Sequence, residues 1–339
     1  METKKEINNK KITIVGTGAF GTAIAQNLVL INKEVILYGI DQKEIIDINK
    51  NHRNSKYFSK HLSKKIKATD DPIIAFKDSE IIIMGLPSHV MEPVLRKVII
   101  PQMNKKAYFI NLSKGFDYLN DRLLHKLIKD TVPEEFFIDV LKLSGPSFAI
   151  DLVYKQPTQF VLACQNIEVA DLLANIFRSK NVKVLPHNDI VGTELVSIVK
   201  NPYAVLLGIV AGLGYKENAQ ALIFTQVLKE ITMLMKIFNK NKTDIIYTPA
   251  GIGDLYLTGS SKKSRNYSTG FRIGSANKVT KKILSTFTTV EGLRSIEVIR
   301  KANLDQSYDP ELFALLYEIV INKQQPSKII GNYFEGIKL

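Results

Sequence analysis

The 339-residue chain has one cysteine, no tryptophan and five histidines. A single thiol, Cys164, excludes any intrachain disulfide framework and fits a reducing compartment. The β-forming run before it, Thr158 to Ala163, predicts a strand, and with it an inert core thiol rather than a nucleophile. One cysteine and scattered histidines offer no metal-ligand cluster. Long apolar runs are also scarce. The longest, Pro202 to Gly214, falls short of the roughly 20 residues that a bilayer span requires. Residues 1–11 are polar and charged where a signal peptide would be apolar. A cytoplasmic protein is expected.

Acidic residues are in the minority: 46 basic against 33 acidic side chains leave a net charge of +13. Such a balance suits nucleic acid, a membrane surface or anionic metabolites. The lysines are scattered, however, with no long basic run, zinc-finger spacing, aromatic RNP-like strand or basic zipper. A field that attracts small phosphates is the expectation. A nucleotide-sensing or DNA-associated protein is the non-enzymatic alternative, and it requires salt-sensitive duplex binding.

What is present begins with Gly16-Thr17-Gly18-Ala19-Phe20-Gly21. Lys11 to Val15 brings β-branched residues into this run, and Ala19 to Ile31 sets Ile24, Leu28 and Ile31 on one helical face. Strand, glycine turn and helix together predict a dinucleotide cradle. Gly16 allows the tight turn, Gly18 lets the backbone approach a pyrophosphate, and Gly21 permits close helix–strand packing. The anion rests on the helix N-terminus. A second strand, Glu34 to Tyr38, runs into Gly39-Ile40-Asp41. Asp41 stands about 20 residues past the motif, where a carboxylate bonds an NAD ribose, or else it is a solvated turn residue. Further strands at Ile81–Leu86, Ala107–Leu112 and Leu141–Ser144, with helical segments between, predict a parallel doubly wound sheet. Lys114 and Gly145-Pro146-Ser147 follow predicted strands and should line the crevice at the carboxyl ends.

Strand signals continue at Gln159–Ala163 and Val182–Leu185, and from Asn188 almost everything reads as helix. Two domains follow: residues 1–188, Rossmann-like and dinucleotide-binding, and residues 189–339, all-helical and substrate-binding. Asn188 or Asp189 is expected to cap a long apolar helix. Lys200 lies inside it beside Ile198, Val199, Ala204 and Val205, so its ammonium must snorkel to water or meet charged partners. Burial would lower its pKa toward that of a general base. Pro202 removes an N–H and predicts a kink at or just before Asn201. Thr248-Pro-Ala-Gly-Ile-Gly-Asp254 sets a carboxylate in a glycine-rich turn, and Ser264-Arg265-Asn266 offers a guanidinium fork with neutral donors, suited to phosphate.

In this order, the glycine run, Leu112-Ser113-Lys114-Gly115, Ser144 to Ala149, Val199-Lys200-Asn201, Gly253-Asp254 and Ser264-Arg265-Asn266 resemble the bacterial-type NAD(P)-dependent sn-glycerol-3-phosphate dehydrogenases. Val290-Glu291-Gly292 extends the resemblance over nearly the whole chain. It implies a Rossmann-like α/β domain followed by an all-α domain, as in 6-phosphogluconate dehydrogenase. It further implies NAD or NADP as cofactor, a cytoplasmic homodimer, and interconversion of glycerol 3-phosphate and dihydroxyacetone phosphate in the service of phospholipid synthesis.

Residue by residue, the resemblance implies that Lys200 exchanges the C2 hydroxyl proton, Lys114 adds positive charge near the alkoxide, and Asp254 holds Lys200. Substrate would also meet Gly145, Ser147, Asn201, Ser264, Arg265 and Asn266. Cofactor would meet Gly16, Gly18, Ala19, Phe20, Gly21, Asp41, Pro87, Lys114, Ala149, Arg265, Thr289 and Glu291. Ile40 stands where the family often has His or Arg, which favours NAD over NADP, although Lys43 is near enough to substitute. The turn at Gly212–Asn218 and Gln226 depart from the family's substrate loop. A β-hydroxyacid or ketopantoate-type reductase is the rival enzyme, but its substrate motifs are not found.

Overall fold

Ile12–Val15 (β1) places four consecutive side chains out of solvent, the pattern of a strand covered on both faces. In this computed structural model the described residues are 6–7, 9–31, 33–117, 120, 122–285, 292–293, 295–296, 299–300 and 310–336. The chain divides into two compact units, Met1–Glu194 and Leu195–Leu339.

The first unit is built on an eight-stranded sheet. After β1 come α1 (Ala19–Leu30), β2 (Val35–Tyr38), α2 (Gln42–Ile46), β3 (Ile66–Thr69), α3 (Pro72–Phe76), β4 (Ile81–Met84) and α4 (Ser88–Val94). Then follow β5 (Ala107–Asn111), α5 (Leu124–Thr131), β6 (Phe137–Ser144), α6 (Ala149–Val153), β7 (Thr158–Ala163), α7 (Ile167–Ala174) and β8 (Val182–His187). The strand order is β3-β2-β1-β4-β5-β6-β7-β8. Its first six strands follow the doubly wound dinucleotide-binding order. β3, with the sequence Ile-Lys-Ala-Thr, is a strand that the sequence pattern does not suggest.

The strands expected to pair in parallel do so, and one further pairing differs: β6 and β7 are antiparallel, Leu143 opposite Leu162. The only helix between them, α6, has five residues and reaches about 8 Å, too short to carry the chain back along β6. β7 therefore starts at the edge where β6 ends. Cys164 follows β7, is fully buried, and donates its S–H to Asp139 Oδ2 at 3.2 Å. Burial, with the Asp139 charge beside it, pushes the thiol pKa up to about 12, so the thiol is inert.

Among the described residues no strand follows β8. The helices here include α8 (Ile190–Gly212), α9 (Glu217–Phe238), α10 (Asp254–Ser260), α11 (Arg265–Ala276), α12 (Lys281–Leu284), α13 (Glu311–Val320) and α14 (Pro326–Phe334). The boundary between the units falls within α8. Asp189 caps α8, its Oδ1 accepting from Gly192 N at 2.8 Å. By length and composition alone α8 could cross a membrane, yet 83% of its most apolar stretch is buried inside the protein, as in a core helix.

α8 continues through Pro202, so the predicted kink does not break it. Asn201 Nδ2 donates to Ser197 O at 3.0 Å, adding a side-chain bond in the turn that proline weakens. A stripe of glycines then brings α8 and α11 together. A Cβ built on Gly208 would overlap the Tyr267 carbonyl, one on Gly212 that of Phe271, and one on Gly270 that of Val205. Only glycine permits an approach this close, and it sets the start of α11 against the middle of α8. Tyr203 fills the core beside this contact, edge-on to Phe313 at 6.2 Å.

Candidate functional site

In the first unit, the predicted site residues gather at the carboxyl ends of the parallel strands. Gly16 has φ +117°, and a Cβ there would sit 2.8 Å from Gly85 O. Gly21 packs its bare Cα against the Gly16 carbonyl. Gly18 differs: a Cβ on it would meet nothing within 4 Å, so the backbone lies open at the start of α1. Gly18 supplies no side-chain cap, which leaves the first α1 N–H groups directed at that space. This is a cradle that fits a pyrophosphate. Ala19 and Phe20 form the first turn of α1, both half-buried, and Phe20 meets Phe160 edge-on at 6.4 Å. Thr17 braces the turn, its carbonyl accepting from Asn54 Nδ2 at 2.8 Å and its hydroxyl bonded to Glu44 Oε2 at 2.5 Å.

Asp41, at the end of β2, is the N-cap of α2, accepting from Lys43 N at 3.0 Å and Glu44 N at 3.4 Å. Its second oxygen lies 3.2 Å from Lys56 Nζ. The bond from Lys56, helped by the cap, holds its carboxyl below the usual carboxylate range. Pro87 caps α4 and is exposed. His89 lies in the first turn of that helix and is exposed.

Lys114 is half-buried in the loop after β5. That loop is anchored on three sides. Ser113 Oγ donates to Leu86 O at 2.5 Å, Ser113 N donates to Asn111 Oδ1 at 2.8 Å, and the buried Lys142 ammonium donates to Ser113 O at 2.5 Å. Asn111 in turn donates to Glu194 Oε1 at 3.0 Å, and Glu194 also holds His125 Nδ1 at 2.8 Å. Gly145 has φ +153°, and a Cβ on it would come within 2.6 Å of Gln159 O. Ser147 donates to Gly145 O at 3.1 Å, and Ala149 opens α6.

In the second unit, Lys200 does not snorkel. Its side chain is fully buried, and Nζ lies 3.2 Å from Asp254 Oδ2, 2.9 Å from Thr258 Oγ1 and 3.2 Å from Asn201 Oδ1. Asp254 opens α10, so Thr258 lies one turn further along the same face, donating to Asp254 Oδ1 at 3.2 Å. Thr258 escapes sequence reading, although its i+4 spacing from Asp254 is a usable signal. Asn266 donates to Asn201 Oδ1 at 3.1 Å and accepts from Gly292 N at 3.1 Å. Asn201, next to Pro202, is thus held from both sides. Ser264 is the N-cap of α11, its Oγ accepting from Tyr267 N at 3.3 Å, and Arg265 is exposed in the first turn. An exposed arginine in the first turn of a helix suits an anion. Thr289 and Glu291 lie outside the described residues.

Two family models match the chain. The N-terminal model of NAD-dependent glycerol-3-phosphate dehydrogenase covers residues 11–170, and the C-terminal model of the same enzyme covers residues 189–331. A glycerol-3-phosphate dehydrogenase [NAD(P)+] from Mesoplasma florum is 36% identical over 335 residues, 98% of this chain and 100% of that one. The crystal structure of glycerol-3-phosphate dehydrogenase from Coxiella burnetii aligns at a TM-score of 0.84 with 25% identity, over 96% of this chain and 99% of that one. A 3-hydroxyisobutyrate dehydrogenase from Mycobacterium tuberculosis shares the fold more distantly, at a TM-score of 0.53 and 10% identity over 96% of this chain and 99% of that one.

Proposed function

The chain belongs to the NAD-dependent glycerol-3-phosphate dehydrogenase family, and on that footing we propose that it interconverts sn-glycerol 3-phosphate and dihydroxyacetone phosphate with NAD or NADP. The observation that carries the reading is the buried Lys200 ammonium held between Asp254, Thr258 and Asn201. A lysine placed this way has no structural need that an apolar residue would not meet as well. It suits a proton-exchanging group on a helix that is otherwise core.

When bound, the nicotinamide supplies or accepts the hydride at the carbinol carbon. The chain does the rest. Lys200, in its neutral form, takes the C2 hydroxyl proton at Nζ during oxidation and returns it during ketone reduction. Asp254 and Thr258 fix the direction of that Nζ. Asn201, locked by Asn266, keeps the neighbouring donor positions in place. Lys114 adds positive charge near the developing alkoxide, with its loop pinned through Ser113. Arg265 grips the phosphate, and Ser264, whose hydroxyl proton is still available, donates beside it. Gly145 and Ser147 bound the substrate from the β6 end. Holding the phosphate orients the reacting carbon. Gly16, Gly18, Ala19, Phe20 and Gly21 would hold the pyrophosphate, Asp41 the adenosine ribose, and Pro87 and Ala149 the nicotinamide end.

The decisive experiment is reduction of dihydroxyacetone phosphate with NADH and NADPH measured side by side, with ketopantoate and a hydroxyisobutyrate as competing substrates. Turnover of either competitor in place of dihydroxyacetone phosphate would overturn the reading. The lone buried thiol and the family resemblance also support a cytoplasmic homodimer whose product feeds phospholipid synthesis. Sedimentation at the mass of a single chain would remove the dimer.

A further inference from the structure

Lys56 lies between α2 and β3, outside every motif of the sequence. Its ammonium sits between two carboxylates, 2.6 Å from Glu44 Oε1 and 3.2 Å from Asp41 Oδ2. Glu44 is buried and bonded to the glycine turn through the Thr17 hydroxyl, and its Oε1 also accepts from Tyr57 OH at 2.9 Å. Thr17, Glu44, Lys56 and Asp41 thus form one chain of contacts from the pyrophosphate cradle to the end of β2.

The hydrogen-bond capacity of Asp41 decides what it can still hold. A carboxylate offers about four lone-pair directions. The α2 cap uses two on Oδ1, and Lys56 uses one on Oδ2. The remaining direction suits a single ribose hydroxyl. A 2′-phosphate in the same place would face Asp41 and Glu44, two like charges. Lys56 is the cation already seated there, and its side chain is 56% exposed, free to turn outward. Ile40, 85% exposed, brings no charge. Lys43 contributes its backbone N–H to the cap.

We propose that Lys56 sets the nucleotide preference of this chain. It bridges Asp41 and Glu44 when the 2′ position carries a hydroxyl. It keeps its hold on Glu44 and leaves Asp41 for the 2′-phosphate when NADP binds. The inference deepens the reading above and rests on it, since it takes the glycine turn as the nucleotide site and the end of β2 as facing the adenosine ribose.

The chain has no tryptophan, so the fluorescence of the reduced nicotinamide reports binding without indole in the background. NADH and NADPH are titrated into the native protein and into Lys56→Met, Lys56→Gln and Lys56→Arg. Loss of the cation should weaken NADPH by on the order of tenfold. NADH should stay within about threefold. Lys56→Arg should restore NADPH. The two neutral variants are read together, with their NADH affinity as the check on folding. Equal weakening of both nucleotides, a larger loss for NADH, or no change for NADPH would overturn the assignment while leaving the nucleotide site intact. Failure of the native protein to bind either nucleotide would overturn the site and this inference together.

Discussion

The Lys200 ammonium lies 3.2 Å from Asp254 Oδ2, and neither side chain is more than 2% exposed. Attraction at this depth is strong because water does not screen it, but both groups have lost their hydration. A pair this costly to desolvate suits a function of the charges better than packing alone. Lys200→Ala is expected to lower turnover of dihydroxyacetone phosphate by roughly two orders of magnitude or more, the scale of a lost general base. Steady-state rates at saturating nucleotide, on protein shown to be folded by circular dichroism, provide the check. Near-native turnover would make Lys200 a structural residue only.

Removing the acid instead tests the energetics. Asp254→Ala leaves an ammonium buried against Thr258 and Asn201 without its counter-charge. A loss of about 3–5 kcal/mol of stability is expected, read as a lower urea midpoint. Asp254→Asn, which keeps the shape and an acceptor, should lose less. An unchanged midpoint in the alanine variant would show that the pair is not held closed.

Much of this arrangement is legible in the sequence where the determinants are local. Strand, glycine turn and helix follow one another within twenty residues, so the tight turn at Gly16 and the close packing at Gly21 can be read from spacing alone. Lys200 can be placed on a core helix because its neighbours are apolar at helical period. The rest depends on distant partners. Nothing near Asp41 shows that Lys56, fifteen positions on, will occupy one of its oxygens. The direction of β7 depends on the length of α6, which the periodicity around Ala149 does not fix. The bond between Asn201 and Asn266 depends on the glycine contact of α8 with α11, a feature that single-helix patterns do not reveal. Pro202 predicts a kink by local rules, and α8 runs through it as one helix whose residues there are buried.

Gly18 and Gly21 should separate binding from folding. Gly18 already has φ −62° and open space around it, so Gly18→Ala should change stability by no more than about 0.5 kcal/mol. Its methyl group would stand where a pyrophosphate must approach, and NADH affinity should fall. Gly21→Ala drives a methyl group into the Gly16 carbonyl and should cost about 1–3 kcal/mol or more of stability. Thermal unfolding and NADH titration of both variants test the contrast. A stable Gly21→Ala with normal NADH affinity would contradict the packing seen here.

Arg265 offers a test of substrate selection. Its side chain is exposed at the start of α11, so its removal leaves no buried charge unpaired. Arg265→Ala should weaken dihydroxyacetone phosphate by about ten- to a hundredfold, the scale of a lost charge-assisted bond. Nucleotide affinity should change far less. Unphosphorylated dihydroxyacetone, measured alongside, should be a poor substrate for both proteins. Equal use of the two ketones by the native enzyme would remove the phosphate role.

Glu230 gives a pH dependence with a definite sign. Burial pushes its carboxyl pKa up to about 7, against the N–H groups of Leu312 and Phe313 and the Tyr203 hydroxyl, which favour the ionised form. Glu311, and Tyr333 on α14, are the other titratable groups coupled to it. An acid whose folded pKa is raised keeps its proton in the native state after the unfolded chain has released it. Its contribution to stability is therefore complete below the ordinary glutamate value of 4.5, and is lost as pH rises toward 7. Glu230→Gln cannot titrate, so the stability difference between native protein and variant isolates this group. That difference should fall by on the order of 2–3 kcal/mol between pH 4.5 and 7.5 and then level off. Urea midpoints at half-unit intervals measure it. A difference that stays flat across this range would show that the carboxylate ionises normally at the foot of α13.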